Sequence, residues 1–226
     1  MSRGVLVTGG SRGIGAAIAS AFKDLGDNVV GLSSADVDLA DPPSVERAVD
    51  TAVGTLGSID VLVNNAGLVE WGTLANLSYA EWQSLWRRTF EVNVFGAANM
   101  SYCVAKHMID RGIHGRIVNV GSRGAFRGEP EMPAYGASKA ALHSMSQSLA
   151  VALAPHGIAV TAVAPGFVGT DRVAHMVDDA VREQSPFNRV AKPEEIAAAV
   201  VYLASPEAEW ASGTILDLNG ASYLRT

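Results

Sequence analysis

Gly4-Val5-Leu6-Val7-Thr8-Gly9-Gly10-Ser11-Arg12-Gly13-Ile14-Gly15 joins a short apolar run to a glycine-rich turn. The apolar run is rich in β-forming residues and predicts a buried parallel strand. A helical pattern follows the turn, with Ile18, Phe22 and Leu25 on one face and Gly26 as its stop. A strand, a glycine-rich turn and a helix in this order direct backbone N–H groups at a phosphate. We therefore predict phosphate binding at this turn.

Strands and helices alternate along the rest of the chain. Apolar runs predict further strands at 28–32, 59–64, 116–120, 158–163 and 214–218. Helical patterns are predicted after Asp41, from Ser78 to about Arg111 with a break near 90–93, after Pro133, and after Pro193. This alternation predicts an α/β protein: a single-domain Rossmann fold over residues 1–226, with a doubly wound parallel sheet and helices on both faces.

The link after the second predicted strand is unusual. Asp36-Val37-Asp38-Leu39 looks like a third extended piece, but only Ser33-Ser34-Ala35 separates it from the strand before it. Three residues are too few for a crossover helix. Either the two pieces are not parallel neighbours in the usual way, or a helix has been lost.

Composition narrows the class of protein. The chain has 226 residues, 48% of them hydrophobic and 18% charged, enough for a large core. A net charge of −6 without a basic cluster argues against a nucleic-acid partner. No apolar run is long enough to span a bilayer, and the first strand begins too early to leave room for a signal peptide, so we expect a cytoplasmic protein. One cysteine excludes an intrachain disulfide, and the five histidines lack partners at metal-ligand spacing, so we expect no metal.

Tyr135 and Lys139 lie four residues apart on the helix predicted after Pro133. Side chains at this spacing point the same way. A free phenol has a pKa near 10, and an ammonium one turn away favours the phenolate and lowers that pKa toward the working range. The pair can therefore exchange a proton with a carbonyl or an alcohol. Taken alone, the same spacing also fits an ordinary solvated helix face.

Further motifs stand at the predicted strand ends and on the predicted helices. In chain order they are Thr8-Gly9-Gly10-Ser11-Arg12-Gly13-Ile14-Gly15, Asn64-Asn65-Ala66-Gly67, Asn93, Ser122, Tyr135-x-x-x-Lys139 and Pro165-Gly166. Together they resemble the short-chain dehydrogenase/reductase family, and the match covers nearly the whole chain. The region 187–196 is most similar to the 3-oxoacyl thioester reductases of that family.

The resemblance implies a catalytic set. Tyr135 would act as general acid and base, Lys139 would lower its pKa and bind the nicotinamide ribose, and Ser122 would hold the substrate oxygen. Asn93 would position a water that links Lys139 to solvent. The alternative for Asn93 is a residue of a helix kink that satisfies local backbone groups, and Ser138 is interpreted as a packing residue.

The resemblance also implies a nicotinamide dinucleotide site. Its residues would be Gly9, Ser11, Arg12, Gly13, Ile14, Gly15, Ser33, Asp38, Leu39, Asn64, Ala66, Gly67, Tyr135, Lys139, Pro165, Gly166, Val168 and Thr170. The family places Asp38 and Leu39 on the adenine, and the segment 165–170 on the nicotinamide carboxamide.

Cofactor preference depends on the end of the second strand. An acidic residue there would bind the ribose hydroxyls. Ser33 and Ser34 occupy this position, so the sequence shows nothing that repels a 2′-phosphate. Arg12, inside the glycine turn, can reach such a phosphate as a charge-assisted donor. We therefore expect NADP(H) to be favoured over NAD(H).

The substrate site is expected around Trp71, Ser122, the stretch 124–128 and the segment 167–187. Trp71, Phe126 and Phe167 would supply its apolar walls. The alternative is that Trp71 and Phe126 cap the sheet edge.

Three functions remain open. The leading one is a carbonyl reductase or alcohol dehydrogenase acting on a small-molecule substrate with NADP(H). The others are an NAD-dependent dehydrogenase of a cyclic diol, and a redox sensor that binds dinucleotide without turnover; the complete set of Ser122, Tyr135 and Lys139 argues against the sensor. The resemblance further implies a homo-oligomer, a tetramer or a dimer, joined through the helices that start near Ser78 and Pro133.

Overall fold

Six parallel strands form one sheet in the computed structural model, which describes residues 2–171 and 173–225. The strands are β1 Gly4–Thr8, β2 Asn28–Leu32, β3 Val61–Asn64, β4 Arg116–Val120, β5 Ala159–Pro165 and β6 Ile215–Leu218. Their order across the sheet is β2-β1-β3-β4-β5-β6, and each neighbouring pair is parallel. The predicted doubly wound parallel sheet is confirmed.

Apart from the short helix Asp179–Arg182, the helices follow the predicted positions. They are α1 Gly13–Asp24, α2 Pro42–Leu56, α3 Tyr79–Phe90, α4 Ala97–Arg111, α5 Pro133–Leu153, α6 Asp179–Arg182 and α7 Pro193–Leu203. Local signals explain their ends. Asp41 accepts a hydrogen bond from the backbone N–H of Ser44 at the start of α2, and Ser78 and Glu81 form a capping box at the start of α3. The predicted break is a π-helix, Glu91–Gly96.

Helices cover both faces of the sheet because apolar side chains alternate along the strands. Leu6 packs on one face with apolar residues of α2, α4 and α5. Its neighbours Val5 and Val7 pack on the other face with residues of α1 and α7, among them Phe22 and Val200. The chain thus buries strand residues on both sides, as expected for a parallel sheet.

The predicted third extended piece is absent, which corrects the interpretation of residues 36–39. The chain turns back directly after β2, where the N–H groups of Asp36 and Val37 donate to the carbonyl of Ser33. Val37 is buried in the core, so an apolar residue that suggested a strand is satisfied by a turn. Consequently β2 is an edge strand of the sheet.

All six strands end at the same edge of the sheet because they are parallel. The strand order reverses between β1 and β3, where the chain first turns to β2 on one side and then to β3 on the other. Ligands of open α/β sheets bind outside the carboxyl ends of the strands at such a reversal. Four of the predicted motifs, those at 8–15, 64–67, 122 and 165–166, follow these strand ends.

Candidate active site

The ends of β1 and β3 are joined by side-chain hydrogen bonds at this reversal. The hydroxyl of Thr8 accepts from the N–H groups of Asn65 (3.0 Å) and Ala66 (3.1 Å). The amide nitrogen of Asn65 donates to the carbonyls of Thr8 (2.9 Å) and Gly9 (3.2 Å). These contacts hold the glycine-rich turn against the end of β3. The motifs contained Thr8 and Asn65, but sequence reasoning assigned neither of them to the site.

The glycine-rich turn leaves the N-terminus of α1 open. Its N-cap residue, Arg12, makes no side-chain capping bond, and Gly13 has a φ of +55°. A Cβ placed on Gly13 would lie 3.3 Å from Cγ2 of Thr170, so the turn and Thr170 face each other at close range. Ser11 and Arg12 are exposed. Uncapped N–H groups and a helix dipole suit a phosphate, and the turn therefore fits the pyrophosphate of a dinucleotide.

A carboxylate stands at the end of β2, which corrects the expectation that nothing there repels a 2′-phosphate. Asp36 accepts hydrogen bonds from both the hydroxyl and the N–H of Ser33, each at 2.7 Å. The bond from the hydroxyl, and then that from the N–H, lower the pKa of Asp36, so it stays charged. The carboxylate of Asp38 accepts from the N–H of Ala40 at 2.9 Å, and Asp38 is exposed.

The side chain of Asn64 points into the interior. It donates to the hydroxyl of Ser101 and to the amide oxygen of Asn119, both at 2.9 Å, and is 4% exposed. A buried amide needs such partners. Asn64 therefore supports β4 and α4, and it can meet a cofactor only through its backbone.

Tyr135 and Lys139 lie together on α5. The ammonium nitrogen of Lys139 is 5.8 Å from the centre of the Tyr135 ring and donates to the carbonyl of Val120 at 2.8 Å. Lys139 is 4% exposed, whereas Tyr135 is half-buried. The end of β4 thus fixes a buried ammonium beside a phenol that can still meet a substrate.

Asn93 occupies the π-helix and ties three segments together. Its amide oxygen accepts from the N–H of Leu68 (2.7 Å), and its amide nitrogen donates to the carbonyl of Leu68 (2.9 Å) and to the hydroxyl of Ser138 (3.0 Å). Ser138 in turn donates to the carbonyl of Tyr135 at 2.8 Å. Ser138 is therefore a hydrogen-bonding link between Asn93 and the helix of Tyr135, which corrects its interpretation as a packing residue.

Gly67 lies beside both Lys139 and Asn93. A Cβ placed on Gly67 would be 3.4 Å from the ammonium nitrogen of Lys139 and 3.5 Å from the amide oxygen of Asn93. The loop after β3 thus passes directly over these two polar groups.

Ser122 follows β4 and begins a short 3₁₀ turn, Arg123–Ala125. Its hydroxyl accepts from the N–H of Gly124 at 3.0 Å, and the residue is half-buried. The start of α5 packs closely on this turn, since a Cβ on Gly136 would lie 3.0 Å from the carbonyl oxygen of Gly124. Glycine at this position lets the helix that carries Tyr135 approach Ser122.

The predicted aromatic walls are not brought together. Trp71 is 46% exposed and lines an open surface pocket with residues of α3. Phe126 lies between the ring of His143 (4.9 Å) and the guanidinium of Arg225 (4.3 Å) and packs on β5 and β6, so it caps the sheet as the alternative stated. Phe167 lines a different, partly open cavity.

That cavity has a volume of about 360 Å³ and lies beyond the ends of β5 and β6. Its walls come from Arg123, Phe167, the segment 181–191, the start of α7 and the segment 217–222. Sequence reasoning missed Arg123 and the C-terminal segment. The only sequence signal for Arg123 was its position directly after Ser122.

His143 is buried one turn beyond Lys139. It is 3% exposed, and neither ring nitrogen has a hydrogen-bond partner among the residues that the structure describes. Burial first, and then the charges of Lys139 and Arg225, lower the pKa of His143 to about 4. A Cβ on Gly121 would overlap its Nε2 atom, so the imidazole packs directly against Gly121.

Within residues 2–171 and 173–225, no group of three or more His, Cys, Asp or Glu side chains is arranged to hold a metal ion. No helix in that part of the chain is long and apolar enough to cross a membrane.

Comparisons with known proteins identify the family of the chain. A family model described as enoyl-(acyl carrier protein) reductase matches residues 31–220, and 3-oxoacyl-(acyl-carrier-protein) reductase from Vibrio cholerae is 33% identical over 240 residues, covering 97% of this chain and 96% of the relative. The chain belongs to the short-chain dehydrogenase/reductase family. Like other short-chain dehydrogenase/reductases, it is a nicotinamide-dependent oxidoreductase that acts on carbonyl and CH–OH groups.

Solved structures of the same family superpose on nearly the whole chain. Thermoplasma acidophilum aldohexose dehydrogenase, in ligand-free form, is 34% identical with a TM-score of 0.91, covering 100% of this chain and 95% of the other. The 3-ketoacyl-(acyl-carrier-protein) reductase from Brucella melitensis, complexed with NADH, is 28% identical with a TM-score of 0.90, covering 98% of each chain.

Proposed function

We propose that this short-chain dehydrogenase/reductase transfers a hydride between NADP(H) and a carbonyl or secondary alcohol, with Tyr135 as its general acid and base. The observation that carries the proposal is the placement of Lys139. Its ammonium is buried, anchored to the end of β4 and 5.8 Å from the Tyr135 ring, at the same sheet edge as the phosphate-binding turn. A fixed cation beside a phenol favours the phenolate.

The residues of the set contribute differently to the reaction. The nicotinamide cofactor, when bound at the glycine-rich turn, supplies or accepts the hydride. Tyr135 gives a proton to the substrate oxygen during reduction and removes it during oxidation. Ser122 holds that oxygen by a hydrogen bond beside the phenol, and Lys139 stabilises the phenolate that remains.

In this proposal Asn93 positions a water through which Lys139 exchanges protons with solvent. Its amide oxygen and the Lys139 ammonium both lie beside Gly67, so a water there can bond to both groups. The bonds from Asn93 to the backbone of Leu68 hold the amide in place, and the two roles considered for Asn93 are therefore compatible.

The preference for NADP(H) depends on two opposite charges. Arg12 is exposed at the turn, where its planar guanidinium can make two charge-assisted bonds to a 2′-phosphate. Asp36 opposes this binding. Because Asp36 is solvated and one of its oxygens is occupied by Ser33, screening weakens the repulsion while direct bonds to Arg12 persist.

We propose a 3-oxoacyl thioester as the leading candidate for the substrate. The similarity to oxoacyl reductases from Vibrio cholerae and Brucella melitensis supports this class. A second candidate substrate is a sugar or another polyol, which the enzyme would oxidise. This candidate is favoured by the structural similarity to an aldohexose dehydrogenase.

The test is an activity assay with a panel of 3-oxoacyl thioesters, ketones, sugars and diols. Turnover with each cofactor is monitored through the absorbance of the nicotinamide. Tyr135→Phe should abolish turnover yet bind cofactor normally, because only the acidic hydroxyl is removed. Tyr202→Phe, a change on the exposed face of α7, is the matched control. Unchanged turnover in Tyr135→Phe would contradict the proposed role of Tyr135 as general acid and base. Wild-type protein that binds cofactor but turns over nothing in the panel would favour the sensor.

We also propose that the protein works in the cytoplasm as a homo-oligomer. Apolar side chains stand exposed on the helices expected at the interface: Phe95 is 59% exposed, Tyr102 72% and Val151 79%. Burying such groups against a second copy is favourable. Light scattering coupled to gel filtration would show a mass above 23.6 kDa, and a strictly monomeric mass would contradict this proposal.

A further inference from the structure

Arg123 is a buried cation whose hydrogen-bond partners within residues 2–171 and 173–225 are all neutral. It is 4% exposed. Its guanidinium donates to the hydroxyl of Ser222 (2.5 Å) and to the amide oxygen of Gln184 (2.7 Å), and it lies 5.4 Å from the centre of the Phe167 ring. An arginine side chain cannot shed its charge to relieve burial. A buried charge of this kind is costly unless an opposite charge meets it.

The two carboxylates that line the 360 Å³ cavity each have a cationic partner, although Oδ1 of Asp217 is buried without a hydrogen-bond partner among the described residues. Glu195 is bound to Arg189 at 2.6 Å, and Asp217 is bound to Arg225 at 2.7 Å. Within the described ranges, 2–171 and 173–225, no carboxylate lies within salt-bridge distance of Arg123. The cavity therefore has one cation in its wall that no carboxylate of those ranges neutralises.

The surroundings of Arg123 disfavour its charged form. Burial is the main cause that lowers its pKa, and the nearby charge of Arg127 adds to it. Glu129 offsets part of this effect, but its carboxylate lies 3.9 Å from Arg127 rather than against Arg123. The environment thus penalises the cation and would gain from an added anion.

About half of the other residues that line the cavity are apolar. The apolar ones are Phe167, Val181, Phe187, Val190, Ala191, Ile196 and Leu218. The volume lies within the usual range of small-molecule sites, roughly 300–1,000 Å³. An occupant that suits both features has one anionic end and a short hydrocarbon body.

We propose that this cavity binds a small monocarboxylate, with Arg123 as its anion ligand. A carboxylate matches the planar guanidinium and accepts two parallel hydrogen bonds from it. Its apolar body would pack beside Phe167. Because Arg123 directly follows Ser122, and Phe167 directly follows Pro165-Gly166, the occupant would sit next to the reaction centre. The binding itself does not depend on the proposed function.

The test uses butyrate and benzoate as probes, with butyramide and benzamide as uncharged controls of the same shape. Calorimetry at constant ionic strength should show saturable binding of the carboxylates to the wild-type protein and none of the amides. Arg123→Met should lower the affinity for the carboxylates by at least about tenfold, since a charged hydrogen-bond pair is lost. Arg47→Met is the matched control, because Arg47 is an exposed arginine on α2 that pairs with Asp41 and does not line the cavity.

Two results would overturn the proposal. One is the absence of saturable carboxylate binding to the wild-type protein, a result that needs no variant. The other is equal affinity in Arg123→Met. A purely structural arginine, which only ties Gln184 to Ser222, would give a lower melting temperature in Arg123→Met and no carboxylate-dependent rise in the wild type.

Kinetics then separate two sources of the carboxylate. If it is the acid group of the substrate, Arg123→Met raises KM for an oxo acid and leaves KM for the matching neutral ketone unchanged. If it is a separate acid, butyrate binds equally well in the presence of a saturating neutral substrate. Both results keep the carboxylate site, and neither is expected if Arg123 has only a structural role.

Discussion

His143 should make the stability of the protein depend on pH. The folded state keeps this imidazole buried and lowers its pKa from the ordinary value of 6.5 to about 4, chiefly through desolvation. Above pH 6.5 neither state holds the proton. As the pH falls below 6.5, the unfolded chain takes up the proton first, so stability is lost until the folded pKa of about 4 is reached.

The size of the effect follows from that difference in pKa. A shift of one unit corresponds to about 1.4 kcal/mol, so the full loss between pH 6.5 and pH 4 is about 3 kcal/mol. At about pH 5 the unfolded chain is almost fully protonated and the folded state is not, which gives a loss of about 2 kcal/mol. This is a large fraction of the stability of a typical domain.

The pH dependence of the free energy of unfolding can be measured by urea unfolding of the wild type and of His143→Leu. Both are unfolded near pH 7.5 and near pH 5 at a fixed protein concentration. The wild type should lose about 2 kcal/mol more than His143→Leu between the two conditions. His156→Gln removes an exposed histidine and should lose as much as the wild type. The reasoning is refuted if wild type and His143→Leu lose the same free energy.

Three further substitutions test other parts of the site. Asp36→Asn should raise the ratio of NADPH to NADH affinity severalfold in fluorescence titrations, because the repulsion of a 2′-phosphate is removed; an unchanged ratio contradicts this. Ser138→Ala should cost about 1–2 kcal/mol and lower kcat at unchanged cofactor affinity, since the amide of Asn93 loses its link to α5; unaltered kcat would count against that link. Gly121→Ala should cost about 1–3 kcal/mol in urea unfolding, because its methyl group overlaps His143; a neutral effect would mean that the imidazole can shift.

The parts of the fold that were predictable are those with local causes. The first strand and its glycine-rich turn, the Ser78 capping box and the break after Phe90 all depend on residues close in sequence. The prediction of an extended piece at 36–39 was wrong because a buried Val37 fits a strand and a turn equally well. What decides between them is whether another strand lies beyond β2, and a local pattern holds no such information.

The parts of the site that were missed depend on distant partners. The direction of Asn64 is set by Ser101 and Asn119, which lie 37 and 55 residues away in sequence. The burial of Arg123 needs Gln184 and Ser222, 61 and 99 residues away. Side chains whose environment is assembled across the whole chain cannot be placed by spacing alone.

The bonds between Thr8 and Asn65 have a thermodynamic consequence for cofactor recognition. They hold the end of β1 to the loop after β3 with protein groups alone, so the loop is already ordered when a dinucleotide arrives. The conformational entropy of that loop is therefore lost once, during folding, and is not subtracted again from the affinity. Replacing Asn65 by alanine would move this entropic cost from folding to binding, so that the cofactor would order the loop each time it binds.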